Sequence, residues 1–278
     1  MELINYINNT GKGPGYFNGI FKSAFIDDYY LVLDDGNRRF NSYQNDVFIK
    51  TIPYAKYGIL LNDFCLDEDH NIYLSTLNAL TRNPIVKLDS NGHELLQFGT
   101  LNATYDFYGA DHAEPRYLFM SKSGTLLAIS EMYPVFEEYD LNGNLLNTAD
   151  LGSYNFFSDY IEEIKNRIDQ DPGLKSKNRV VDLFRDVSFY QDRLFLLLWE
   201  YQNGNKYRDC QKVAMVNVSD SGNIYLEAIF DLYSKDNTAT RISYSSICGF
   251  GKNNLMAFEL SSGRIEVFTI PDFNFGID

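Results

Sequence analysis

The side chains best suited to chemistry crowd into one stretch, YGADHAEPRY (108–117), which carries Asp111, His112, Glu114 and Arg116. An imidazole beside carboxylates and a guanidinium can move a proton, position a metal or grip a polar ligand. The same groups can also satisfy one another as local salt bridges. His112 is the histidine placed for such work, because His70 (DEDHN) and His93 (SNGHE) fall in tight polar turns and read as solvated. Further candidates are Arg38 (DDGNRRF), Arg82 (NALTRNP), Glu131 and Tyr133 (SEMYP), and the run Trp199, Glu200 and Tyr201 (LWEYQ). A lone Trp beside Glu and Tyr at a strand end can stack a sugar or planar ligand, or simply pack at the rim.

Familiar catalytic signatures are missing. There is no GxSxG elbow and no HExxH pair. The run TGKGPGYF (10–17) has a phosphate loop's glycines but not its GK[ST] and following helix, so it reads as a turn between blades. Three cysteines, Cys65, Cys210 and Cys248, never form a CxxC pair, which argues against a disulfide framework or a thiolate zinc site. Cys65 and Cys248 are expected as small buried hydrophobes on inner strands. No cofactor is expected and no metal ligand is nominated. An enzyme on this chain would have to use His112, carboxylates or a metal.

Charge narrows the partners. The formal net charge is −14, from 38 acidic and 24 basic residues, and the basic ones form no stripe. Nucleic acid and anionic membrane surfaces are therefore poor partners. No stretch reaches the ~18 apolar residues of a membrane span. MELINYINNT lacks the basic and apolar regions of a signal peptide, so a native start would place the chain in the cytoplasm.

The elements that must position these residues are strands. Tyr and Phe number 21 each, a composition that suits pleated surfaces. A hairpin recurs at IVKLDSNGHELLQFG (85–99), FEEYDLNGNLLNTADLG (136–152), MVNVSDSGNIYLEAIFDL (215–232) and, more degenerate, FNSYQNDVFIKTI (40–52). Asn and Gly in the turns accept positive φ without strain. Each hairpin follows another strand pair, as in FCLDEDHNIYLST (64–76) and YLFMSKSGTLLAISE (117–131). Four strands in about forty residues is the unit of a β-propeller blade. Five units are counted, at 17–55, 59–99, 116–152, 180–232 and 243–270, with room for a sixth. The last stops at its third strand, RIEVFTI, and the opening ELINYIN is expected to supply the fourth and close the ring.

The chain thus reads as one all-β domain, 1–278, interrupted by a helical insertion at about 156–179. There Ile161, Ile164 and Ile168 show helical spacing, with Ser158 as N-cap. In such a ring the first strand of each blade lines the axis. The tight turns point to one face, and the longer connections gather on the other as a recognition surface.

NGxLL turns and the GKGPGYF run resemble a Bacteroidetes-type family of six-bladed β-propellers with NHL-like repeats, whose members mostly lack an assigned function. Gly11, Lys12, Gly13, Pro14, Gly15 and Phe17 match its GKGPGEF-like segment, while Tyr16 replaces the acid. The resemblance implies six blades and a periplasmic or cell-surface location. Together these readings point to a binding module that takes a small polar ligand, glycan, peptide or partner protein over the loop face. The alternative is a metal-assisted hydrolase or lyase with an axial site on the same face.

Overall fold

The computed structural model describes residues 10–54, 61–76, 83–100, 114–170, 182–201, 208–219, 223–232, 243–251, 253–259 and 263–270. The first blade consists of β1 (Ile20–Ile26), β2 (Tyr29–Asp34), β3 (Arg39–Gln44) and β4 (Val47–Pro53). The second holds β5 (Leu61–Leu66), β6 (Ile72–Thr76), β7 (Ile85–Leu88) and β8 (Glu94–Phe98). The third holds β9 (Arg116–Met120), β10 (Leu126–Ser130), β11 (Val135–Tyr139) and β12 (Leu145–Asp150), followed by the helix α1 (Asn155–Gln170). The fourth is β13 (Phe184–Tyr190), β14 (Arg193–Leu198), β17 (Lys212–Val218) and β18 (Ile224–Asp231). It carries a small side hairpin, β15 (Glu200–Tyr201) with β16 (Arg208–Asp209). The fifth is β19 (Tyr244–Phe250), β20 (Asn254–Glu259) and β21 (Arg264–Thr269).

Every blade is an antiparallel sheet whose strand order follows the chain. The molecule is a β-propeller of five blades, not the six that the family resemblance implies. The fifth sheet has three strands among the described residues, and ELINYIN, expected as its fourth, lies outside them.

Burial explains the arrangement. Second strands are apolar on both faces: β6 and β10 are buried along their whole length, and β14 is buried after its first residue. Outermost strands such as β12 alternate between exposed and half-buried positions over most of their length. Clusters of side chains seal neighbouring sheets face to face. Leu31, Leu33 and Phe40 meet Phe64, Ile72 and Leu74 between the first two blades. Phe195, Leu197 and Met215 meet Tyr244, Ile247 and Leu255 between the last two. Aromatic residues also stack along one sheet. Phe25, Tyr30, Tyr43 and Phe48 are successive cross-strand partners in the first blade, with Tyr30 and Tyr43 rings 4.9 Å apart and almost parallel.

The tight turns share one device. In Asp67, Asp89 and Asp140 a carboxylate oxygen accepts the amides two and four residues on, at 2.8–3.1 Å. Gly143 adopts φ +81°, and a Cβ there would meet Leu96 and Phe98 of the preceding blade at 2.8 Å. His93 is exposed and its ring approaches Asp89 at 2.9 Å, whereas His70 is half-buried and stacks on Tyr29 at 4.2 Å.

Two local expectations are corrected. Helix α1 begins at Asn155, so Ser158 is inside its first turn, donating from Oγ to the Asn155 carbonyl at 2.9 Å, and is not the N-cap. Aromatic residues ahead of Ser158 pull the start forward: Phe157 is fully buried against Phe184, where the third and fourth blades meet. Cys248 is exposed rather than buried, because Ile247 enters the seam with the fourth blade and its successor must point the other way. Cys65 is buried as expected.

Candidate functional site

A repeated irregularity builds the axis. Four of the inner strands slip register after their first residue, between Ile20 and Lys22, Leu61 and Asp63, Phe184 and Asp186, and Tyr244 and Ser246. A bulge leaves one residue unpaired and re-aims the next side chain. In β9 the pairing is regular, with Tyr117 opposite Ile129. Lys22, Asp63, Tyr117, Asp186 and Ser246 therefore occupy equivalent positions, one per blade. All five line an axial cavity of about 560 Å³.

Backbone amides hold the two acids. Asp63 accepts from its neighbour Phe64 and from Leu118 of the next blade, both at 2.8 Å. Asp186 repeats the bond across another seam, accepting from Ile247 at 2.8 Å. Lys22 ion-pairs with Asp63, and its ammonium lies 5.5 Å from the Phe119 ring centre. Burial pushes the Asp63 carboxyl up, against the pull of Lys22 and the amides. Burial likewise raises Asp186 to about 6, despite its two amide hydrogen bonds. The Tyr117 phenol is pushed well above 10, first by burial and then by the charges of Glu131, Asp186, Asp63 and Asp182.

The connections at this end of the axis are tied to one another. The Glu131 carbonyl accepts from Leu183 at 2.8 Å and Phe184 at 3.1 Å, and the Trp199 amide donates to Leu183 at 3.1 Å. Second-to-third-strand loops and blade-to-blade loops therefore meet on the same face.

Only Glu131, among the expected site residues that are described, lines the axial cavity. Trp199 is half-buried beside it, its ring 4.7 Å below the guanidinium of the cavity residue Arg185. Tyr133 is buried in the seam of the third and fourth blades. Arg38 is exposed at the end of a short turn, in a left-handed conformation with φ +53°. Glu200 and Tyr201 form one arm of the side hairpin. Asp111, His112 and Arg82 lie outside the described residues.

Glu114 and Arg116 have gone inside. Arg116 is 1% exposed. It donates from Nε to Glu137 at 2.9 Å, from Nη1 to the Glu114 carbonyl at 3.0 Å and from Nη2 to the Thr100 carbonyl at 2.8 Å. Its Nη1 also pairs with the Glu114 carboxylate at 3.2 Å. This triad joins the third blade's inner and third strands and leaves the arginine little capacity for a ligand. The glycine run is committed as well, and with the wrong polarity for phosphate. Carbonyls of Lys12, Gly13 and Tyr16 accept from Arg39 at 2.6–2.9 Å, so the loop presents oxygens, not amides.

The ring residues escape a search for motifs, but they leave a trace. Aligned, the inner strands read IFKSAFI, LNDFCL, RYLFM, FRDVSFY and YSSICGF, with a polar or phenolic side chain early in each. The bulges hide their common register.

Fold and cavity together define a five-bladed β-propeller with an axial recess, a scaffold of the binding type. No protein-family model and no curated protein matches the chain. Solved structures do. A putative exported protein from Bacteroides fragilis is 14% identical over 91% of this chain and 70% of its own, with a TM-score of 0.54. The WD40 β-propeller domain of Doa1 is 9% identical over 90% of this chain and 63% of its own, with a TM-score of 0.53. A streptogramin B lyase aligns over 88% of this chain and 66% of its own at 11% identity, with a TM-score of 0.47. At such identities the likeness is one of fold alone. No helix among the described residues is long and apolar enough to cross a membrane.

Proposed function

We propose that the chain is a binding module that takes a small polar ligand, or the end of a glycan or peptide, into the axial cavity from the loop face. One observation carries this reading. Every inner strand contributes one equivalent side chain to a single recess of about 560 Å³, within the usual range for small-molecule sites. Five elements converging on one volume can fix a ligand's orientation more sharply than a loop can.

The test is calorimetric titration against glycan and short-peptide panels. A ligand should bind and be recovered unchanged. Its affinity should fall when the cavity residues Glu131 and Asp186 are replaced together. Undiminished binding in that double variant would move the site elsewhere and sink the assignment.

One feature favours a second reading, hydrolase or lyase chemistry on the same face. Asp186, its carboxyl raised to about 6 in the cavity that the Tyr117 phenol also lines, has the poise of a general acid or base. Among the described residues no three His, Cys, Asp or Glu side chains converge to hold a metal. His112, the histidine expected to assist one, lies outside them. Elemental analysis, with melting curves in added divalent ions, separates the two readings.

A further inference from the structure

Taking the axial cavity as the ligand site, we infer that it selects a protonated amine, seated between the Asp186 and Glu131 carboxylates and against the Tyr117 hydroxyl. The inference rests on how the cavity's groups are satisfied. Asp63 has Lys22 and two amides. Asp186 has amides from Ile247 and Val187 and feels Lys22 only at longer range, with no ion pair of its own among the described residues. A buried carboxylate without a cation is costly, so a cation entering beside it is favoured.

The remaining charges point the same way. Glu131 lines the same recess, and Asp182 is near enough to act on Tyr117. Of the two cavity cations, Lys22 is engaged by Asp63 and Arg185 is turned onto the Trp199 ring. The recess thus holds three carboxylates, those of Asp63, Glu131 and Asp186, against these two cations, a balance that favours an entering ammonium group over an anion. Hydroxyls complete the match. Tyr117 and Ser246 line the cavity, and neither hydroxyl has a hydrogen-bond partner among the described residues. An ammonium group brings three donors, a number suited to two carboxylates and a phenolic oxygen. Phe119, which already faces the Lys22 ammonium, adds an aromatic wall that tolerates positive charge.

A matched series tests this: benzylamine, benzyl alcohol and benzoate share a ring and differ in charge. Trp199 is the only tryptophan in the chain and packs against the cavity residue Arg185, so its emission reports events beside the cavity, and calorimetry supplies the affinities. Benzylamine at pH 7 should bind at least about tenfold more tightly than benzyl alcohol, as expected for a charge-assisted contact, and benzoate most weakly. Asp186→Asn should abolish the advantage of the amine over the alcohol. Glu131→Gln should reduce it if the Asp186 variant folds poorly. Equal binding of amine and alcohol, or tighter binding of benzoate, would overturn the amine inference and leave the cavity as a ligand site. Binding of none of the three would overturn the amine inference, while a glycan or peptide bound at the same residues would preserve the broader reading.

Discussion

Arg116 in the third blade and Lys22 on the axis are both cations set among carboxylates, and they differ in how completely those carboxylates are matched. Around Arg116, Glu114 and Glu137 face one guanidinium whose remaining donors reach backbone carbonyls. On the axis Lys22 pairs with Asp63, while Asp186 has two amides and no ion pair of its own among the described residues. The first cluster closes on itself and joins strands. The second leaves a carboxylate and two hydroxyls facing a cavity. Polar groups that partner one another inside the fold report on stability, and those left facing open volume report on recognition.

The sharpest way to break this contrast is Arg116→Met. It strands two buried carboxylates, so unfolding should cost about 3–5 kcal/mol less by urea denaturation, with axial binding intact wherever the variant folds. A loss below about 1 kcal/mol would put Arg116 in the same category as the axial groups.

Lys22→Met should cost less, on the order of 2 kcal/mol, because Lys22 is a third exposed and Asp63 keeps its two amides. The loss should grow as pH rises, since the raised Asp63 carboxyl can stay protonated at low pH. A penalty independent of pH between 4 and 8 would show that Asp63 does not depend on Lys22 for its charge.

Asp186→Asn should act in the opposite sense. A carboxyl whose folded pKa is raised, here from 3.8 to about 6, contributes stability only while protonated. That contribution is present below about pH 4 and is lost as pH climbs toward 6. The Asn variant cannot ionise, so relative to the parent it should gain on the order of 2 kcal/mol across that window. Melting curves of both proteins at pH 4 and 7 measure the difference directly.

Glu131→Gln should change stability least, by no more than about 1 kcal/mol in urea denaturation, because the amide keeps the side chain's size and the Glu131 backbone hydrogen bonds are untouched. It should still lower benzylamine affinity. An unaffected affinity would confine recognition to Asp186 and Tyr117.

How much of this was legible in the residues varies by element. Turns announced themselves: Asp89-Ser-Asn-Gly and Asp140-Leu-Asn-Gly carry their own hydrogen-bonding device, so hairpin spacing and the blade repeat followed. The helix was visible from its periodicity, but its start was not, because Phe157 is drawn into a seam that belongs to tertiary packing. Glu114 and Arg116 looked like a functional loop, and their charge pattern does not distinguish a surface cluster from one folded between strands. Lys22, Asp63 and Asp186 drew no attention in isolation. A single polar residue in an apolar strand has no motif, and a bulge decides where it points.

Period-two alternation, turn chemistry and a forty-residue repeat are local properties, so the chain's own letters determined that it forms hairpins, pairs them into blades and places short turns opposite long connections. Which side chains reach the axis depends on a one-residue slip at the start of four inner strands and on the five blades closing around a common centre. Only contacts between residues far apart in sequence can set those. The tertiary structure therefore decided that Arg116 joins strands and that Asp186 faces open volume.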